Sequence, residues 1–290
     1  MKTQLKIVRV LGGLGNQMFQ VAYARWIEQN FPNCHVRCDT SDFKNYGLHQ
    51  GYLIEKVFNL KVQVAQNKEL RKMGADSSSF LFKVKRKLNI PRSHYLEEKE
   101  EDRFLFHPDW INEQHQYLDG YWQCRQYVES VKNIKELFQF PAFTDQENLS
   151  LVQTIKNTPN SVSMHIRRGD YVNHPKYNNI CTLEYYQNAL SVLHNRVGAI
   201  TVFVFSDDIE WCRAHFQGEQ FVPVSHNKGV HSFRDLQLMS LCQHHIIANS
   251  SFSWWAAYLG DENGVVLGPK KWKNNMVGTR DLFPDNWLHI

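Results

Sequence analysis

Several common signals are missing from this sequence, and each absence narrows what it can be. No stretch of about 18 consecutive apolar residues occurs, so no membrane-spanning helix is predicted. The six cysteines (Cys34, Cys38, Cys124, Cys181, Cys212 and Cys242) show no Cys-x-x-Cys spacing. That argues against a zinc ribbon or a thioredoxin-like redox pair and leaves reduced packing residues as their reading. Fourteen histidines include no His-Glu-x-x-His pattern. His244 and His245 are adjacent in an apolar stretch and would point to opposite faces of a strand, so no metal centre is expected of them. Asp-x-Asp, the usual device for holding a metal-bound nucleotide diphosphate, is also absent. Excess charge is lacking as well: 33 basic against 29 acidic residues give a net charge of +4, and nothing calls for nucleic acid. The first apolar segment, about six residues, is too short for a secretory signal, so a cytoplasmic location is expected.

What is present is an alternation of strand and helix patterns over 290 residues, a length that allows two domains. Apolar runs predict strands over 5–10, 35–39, around Gly120-Tyr121-Trp122, and over 162–166, 201–205, 221–224, 245–248 and 265–267. Helical spacing covers 17–31, a run through Tyr127, Val131, Ile134 and Phe138, then 183–193, 233–242 and 253–259. Strands separated by helices imply parallel sheets with crossover helices. Pro141 and Pro159 bracket a crossing region, so the expected division is 1–155 and 156–290, two α/β halves facing each other across a cleft. Residues 76–109 break the rhythm with a basic run, Lys83-Val84-Lys85-Arg86-Lys87, and an acidic one, Glu97-Glu98-Lys99-Glu100-Glu101-Asp102. They read as a solvated charged excursion, or else as a flap beside the cleft or a patch that touches an anionic membrane face.

Four segments can carry chemistry. In His165-Ile166-Arg167-Arg168-Gly169-Asp170-Tyr171, two arginines follow a buried strand at once, where open α/β sheets bind ligands. Their planar forks suit phosphate oxygens and keep their charge; the plainer reading is an Arg–Asp surface pair. Gly12-Gly13-Leu14-Gly15-Asn16-Gln17 lies between the first strand and first helix, where glycine lets a ligand approach the backbone. Met18 stands where a dinucleotide fingerprint needs its third glycine, and Asn16 and Gln17 offer neutral amides suited to sugar hydroxyls. A tight structural turn explains the segment equally well. Ser206-Asp207-Asp208 follows a strand and reads best as a helix cap. Asn249-Ser250-Ser251-Phe252-Ser253-Trp254-Trp255 opens a helix whose free N–H groups can cradle phosphate, with Ser253 as a plain cap in the alternative. Asp235, in the preceding helix, is ordinary for dipole reasons but also suits the donor edge of guanine.

Taken together, these blocks resemble the inverting α-1,2-fucosyltransferases, particularly the short bacterial ones, in order along almost the whole chain. The paired His-x-Arg-Arg-Gly-Asp-Tyr and Ser-Ser-Phe-Ser-Trp-Trp blocks carry most of the specificity. The resemblance implies a GT-B-like α/β fold of two facing Rossmann-like domains, an N-terminal acceptor-side domain with the glycine-rich loop and a C-terminal domain that binds GDP-β-L-fucose. It implies that Arg167 binds the β-phosphate, His165 lies near the guanosine, Asp235 reads guanine, and Ser250, Ser251 and Phe252 form the pyrophosphate and donor pocket, with Gly13, Gly15, Arg168 and Asn249 also on the donor. Catalysis would rest on Arg167, Asp170 and Asn16. Asp170 is either the base or a lock on an arginine, and a departing phosphate can take the proton instead. No metal and no cofactor is expected, GDP-fucose being a co-substrate. The partners expected are GDP-fucose and a galactose-terminated oligosaccharide such as an O-antigen unit, with no nucleic acid, and peripheral contact with the inner membrane face stays open. A fucosyltransferase of α-1,6 or protein-O regiochemistry, an NAD-dependent oxidoreductase and a non-catalytic sugar-binding protein are the competing readings.

Overall fold

A computed structural model describes residues 3–45, 50–75, 94–276 and 281–290. The basic run at 83–87 lies outside the described residues. The chain forms two compact units, the first Met1–Gln139 with Asp281 and Leu282, the second running from Phe140 onwards with the C-terminal residues.

In the first unit β1 (Gln4–Arg9), α1 (Leu14–Asn30), β2 (Cys34–Asp39), α2 (Ile54–Phe58) and α3 (Asn67–Lys72) precede β3 (Tyr95–Glu97), β4 (Gln116–Asp119), α4 (Arg125–Glu129) and α5 (Ile134–Leu137). The four strands are parallel in the order β2-β1-β4-β3. Ile7 and Val8 are fully buried on β1, and α1 covers the sheet with Met18, Phe19, Ala22, Tyr23 and Ile27. Lys6, also fully buried, donates to the carbonyls of Asn112 and Gln114 at 2.7 and 2.6 Å, tying β1 to the entry of β4.

Three expectations shift here. The strand placed around Gly120-Tyr121-Trp122 is β4, at Gln116–Asp119; the aromatic run itself is a turn, with Trp122 at φ 53°. The helix expected through Tyr127 and Phe138 breaks into α4 and α5 because Asn133, at φ 56°, starts α5 from the left-handed region. The acidic run is not simply solvated either. Tyr95–Glu97 is an edge strand, and Glu98 is buried.

The second unit contains α6 (Gln146–Asn157), β5 (Ser161–Ile166), α7 (Leu183–Val197), β6 (Thr201–Ser206), α8 (Ile209–His215), β7 (Phe221–Val224), α9 (Phe233–Met239), β8 (His244–Ile246), α10 (Ser251–Leu259), β9 (Val266–Gly268) and β10 (Leu288–His289). All six strands are parallel, in the order β10-β9-β8-β5-β6-β7. Every residue of β5 is buried, as a central strand covered on both faces requires. Its Val162, Met164 and Ile166 pack with Val204, Leu193 and Ile246.

The division falls at Gln139/Phe140, ahead of 155/156, and α6 belongs wholly to the second unit. Asp145 caps α6 by accepting from Asn148 N at 2.8 Å, and Asn148 bonds Asn227 within the same unit. His244 and His245 take separate partners: His245 Nδ1 pairs with Ser163 Oγ at 2.7 Å, and His244 Nδ1 accepts from Val265 N at 3.0 Å. All six cysteines are unpaired. Among the described residues no helix is long and apolar enough to cross a membrane.

Candidate active site

The strand order of the second unit fixes where a ligand would bind. From the central β5 the chain moves through β6 to β7 on one side, then returns to β8 on the other and continues to β9 and β10. β5 and β8 therefore flank a topological switch point, where the loops at their carboxyl ends part and leave a crevice. The His165–Asp170 segment leaves β5 and the Asn249–Phe252 segment follows β8, so two sequence-predicted segments meet at one sheet edge.

Arg167 is held at two points. Its Nη2 lies 2.7 Å from Asp170 Oδ1 and its Nη1 3.0 Å from Asp207 Oδ2, and the guanidinium carbon is 5.5 Å from the Tyr171 ring centre. Arg168 donates from its backbone N–H to Asp207 Oδ1 at 2.8 Å and from Nε to Asp208 Oδ2 at 3.0 Å, and it stacks 4.1 Å over Trp211. The hydrogen bond from Arg168 is the main reason the Asp208 carboxyl falls below its ordinary range. Asp208 also caps α8, accepting from Trp211 N at 3.2 Å, as the cap reading anticipated. Register explains the arrangement: Ile166 on β5 pairs with Ser206 on β6, so residues 167–168 and 207–208 emerge side by side. Asp170 is exposed, and its only described partner here is Arg167, which is the locking arrangement.

His165 is 6% exposed on β5, and its Nδ1 has no hydrogen-bond partner among the described residues. Burial and the neighbouring Arg167 charge lower its pKa to about 4, so the ring is neutral at pH 7. An orphaned buried ring nitrogen at a sheet's carboxyl edge is a place for a ligand atom. The ring of Phe252 lies 5.8 Å away, joining this segment to the start of α10.

The cap of α10 is Ser250, not Ser253. Ser250 Oγ accepts from Phe252 N at 3.3 Å and its N–H donates to Ala248 O at 2.7 Å, so the helix begins at Ser251. Ser253 is buried and turns its hydroxyl back to the Ala248 and Ser250 carbonyls. Asn249 is buried as well, donating to Trp272 O at 3.2 Å and lying 3.5 Å from Cys181 Sγ, which fixes the loop under the helix end.

Asp235 sits in the first turn of α9, in a separate network. Its Oδ1 accepts from Asn227 Nδ2 at 2.9 Å, and Asn227 bonds Asn148 on α6. Burial raises its carboxyl to about 7, only partly opposed by that hydrogen bond.

The glycine-rich segment lies in the first unit, at the carboxyl end of β1. Gly13 caps α1 without a side-chain hydrogen bond, and neither Gly13 nor Gly15 has a positive φ. The glycine the turn needs is Gly12, at φ 80°, where a β-carbon would also lie 2.7 Å from Asn16 Nδ2. Asn16 Oδ1 accepts from Gln123 Nε2 at 2.7 Å. Sequence reasoning gave no role to Gln123 and assigned Asp207 no hold on the arginines. Both depend on neighbouring strands that only the register brings together.

The sequence profile of glycosyl transferase family 11 matches residues 5–290. An Escherichia coli alpha-1,2-colitosyltransferase is 33% identical over 98% of this chain and 98% of its own length. The E. coli O-antigen biosynthesis glycosyltransferase WbnK is 28% identical over 96% and 98%. A Bos taurus galactoside 2-alpha-L-fucosyltransferase is 28% identical over 55% of this chain and 48% of its own length. Among solved structures, fucosyltransferase NodZ from Bradyrhizobium matches 90% of this chain and 94% of its own with a TM-score of 0.55 at 14% identity, a likeness of fold. By a match that spans both units, the chain belongs to glycosyl transferase family 11.

Proposed function

We propose that the protein transfers L-fucose from GDP-β-L-fucose to the 2-hydroxyl of a terminal β-galactose, with inversion and without a metal. The observation that carries this reading is the arginine pair at the carboxyl end of β5 beside the capped start of α10, at the switch point of the second sheet. A nucleoside diphosphate leaving group needs fixed positive charge, and guanidinium forks with a helix N-terminus supply it. In this reading the second unit binds the donor: Arg167 and Arg168 take the β-phosphate, Asn249, Ser250, Ser251 and Phe252 line the pyrophosphate and fucose, His165 makes a neutral contact, and Asp235 reads guanine. The first unit serves the acceptor, with Asn16 in that role. The relatives named as alpha-1,2-colitosyltransferase and galactoside 2-alpha-L-fucosyltransferase support the linkage.

In the displacement, the acceptor oxygen attacks the fucose anomeric carbon as the bond to the β-phosphate oxygen breaks. Negative charge grows on that phosphate, and Arg167 meets it with donors already aimed by Asp170 and Asp207. The two carboxylates after β6 suit a metal poorly, since Asp207 pairs with Arg167 and Asp208 with Arg168. Asp170, paired with Arg167, is assigned to orienting it, and the hydroxyl proton passes to another acceptor such as the departing phosphate.

A second reading keeps the site and changes the sugar. The 33% identical relative is named for colitosyl transfer, and colitose lacks the 3-hydroxyl of fucose. Incubating the protein with GDP-fucose and lactose in EDTA, with the product linkage read by NMR, tests the proposal. A Fucα1-2Gal product formed without metal is expected. Tight GDP-fucose binding without transfer would send the search to another acceptor, and no binding would remove the donor assignment.

A further inference from the structure

Two asparagines from distant parts of the second unit form a buried pair. Asn148, on α6, and Asn227, between β7 and α9, are 2% and 8% exposed. Asn148 Nδ2 donates to Asn227 Oδ1 at 2.9 Å, and Asn227 Nδ2 donates back to Asn148 Oδ1 at 3.0 Å. Each amide nitrogen has a second hydrogen, and each of these ends on a carboxylate. Asn148 reaches Asp145 Oδ2 at 3.0 Å, and Asn227 reaches Asp235 Oδ1 at 2.9 Å. His226 Nε2 lies 2.9 Å from Asn148 Oδ1 and flanks the pair.

Ionised carboxylates only accept, so the two ends decide which way round both amides sit. Asp145 is exposed, and hydrogen bonds from Asn148 hold its carboxyl below the ordinary range, so it is ionised at neutral pH. It draws Nδ2 of Asn148 towards itself, Asn148 then offers Asn227 an oxygen, and Asn227 presents its remaining N–H to Asp235. A reversed Asn227 would set oxygen against oxygen at Asn148 and again at Asp235. Among the described residues the Asp235 carboxylate takes its hydrogen bond from Asn227 alone. The elements packed against α9, which are α10 and β6, carry no charged side chain. On α9 itself, Arg234 turns to the carbonyls of Pro141 and Ala142. Asp145, Glu147, His226, Lys228 and His231 are the titratable groups of the adjoining segments, and none donates to Asp235. Asn227 is therefore the group that opposes the cost of burying this charge.

We propose that Asn227 is a positioning residue for the nucleotide base: held in one orientation by Asn148 and Asp145, it braces Asp235 as a carboxylate whose remaining lone pairs meet the N–H donors of the base. Asn227 needs no contact with the ligand to do this. The inference rests on the reading of Asp235 as the guanine contact given above.

The test measures GDP affinity by calorimetry between about pH 6 and pH 8 for wild type, Asn227→Leu, Asn227→Ala, Asp235→Asn and the double variants. Leucine keeps the volume of asparagine and removes its donor; alanine removes the donor with less crowding and decides the matter if the leucine chain does not fold. Without the donor the Asp235 proton is harder to displace. The midpoint of the pH dependence should then move up by about one unit or more. GDP should bind about fivefold or more weakly at pH 7, with a deficit that narrows as pH rises. In Asp235→Asn there is no carboxylate to brace, so the same change at 227 should cost less than about twofold. A merely structural role predicts an unmoved midpoint and an equal loss in both backgrounds, and either result overturns the proposal. A wild-type chain that binds no GDP, or an Asp235→Asn chain that binds it as tightly as wild type at pH 8, overturns the reading of Asp235 instead, and this inference with it.

Discussion

A β-carbon on Gly169 would lie 2.8 Å from Asp207 Oδ2, the carboxylate oxygen that holds Arg167. Gly169 is therefore glycine for space and not for a left-handed turn, because a methyl there pushes Asp207 away from both its partners. Gly169→Ala should cut kcat/KM about tenfold, on the scale of one charge-assisted hydrogen bond. Asp207→Asn can still accept from Arg168 N but gives up the ion pair, and it should lose activity with little change in thermal midpoint, because exposed pairs contribute little to stability. Initial rates beside a melting curve check both. Full activity in both variants would mean that Arg167 needs no clamp.

Arg167→Lys is the sharper test of the leaving-group assignment. An ammonium carries the charge but cannot make the two-pronged contact with Asp170 and Asp207 while reaching a phosphate. We expect kcat to fall at least about tenfold, since each 1.4 kcal/mol specific to the transition state is a factor of ten. Unchanged kcat would remove Arg167 from the chemistry.

If Asp170 orients Arg167 and is not the base, Asp170→Asn should lower kcat modestly and leave the shape of the pH–rate profile intact. Loss of a basic limb in that profile would restore the base assignment.

Much of this site could be read from residue order. The central strand and its neighbour are apolar runs, found at Ser161–Ile166 and Thr201–Ser206 within a residue of expectation. Glycine, serine and arginine blocks after strands marked the sheet edges correctly. What escaped depends on partners distant in sequence. Asp207 looked like a helix cap, but its work on Arg167 follows from the β5–β6 register. Gly120-Tyr121-Trp122 looked like a strand because aromatics favour one, yet Glu98, some twenty residues earlier, takes the N–H groups a strand would have paired. In α6 the flanking prolines drew the eye, although Asp145 as a cap and the pair Val152 and Ile155, three apart, already carried a helical signal.

Asp235 makes the pH dependence of nucleotide binding predictable in sign. Its carboxyl, ordinarily near 3.8, is raised to about 7 by burial, with Asn227 as its hydrogen-bond donor and His226 and Asp145 as the nearest titratable members of the same network. In the folded protein it thus binds a proton between those two values that the unfolded chain has released, so its contribution to stability falls as pH rises through that window. In the proposed reading guanine presents the donors of its Watson–Crick edge to the Asp235 carboxylate, so GDP would have to displace the proton that burial favours. GDP affinity should therefore weaken as pH drops below about 7, approaching tenfold per unit, with proton release on binding near neutrality. Calorimetry in two buffers of different ionisation enthalpy measures that release directly. Asp235→Asn should bind GDP more weakly at pH 8 and with no slope between about 6 and 8. A wild-type affinity that is flat across this range would show that guanine is read elsewhere, and the slope surviving in Asp235→Asn would assign the titration to another group.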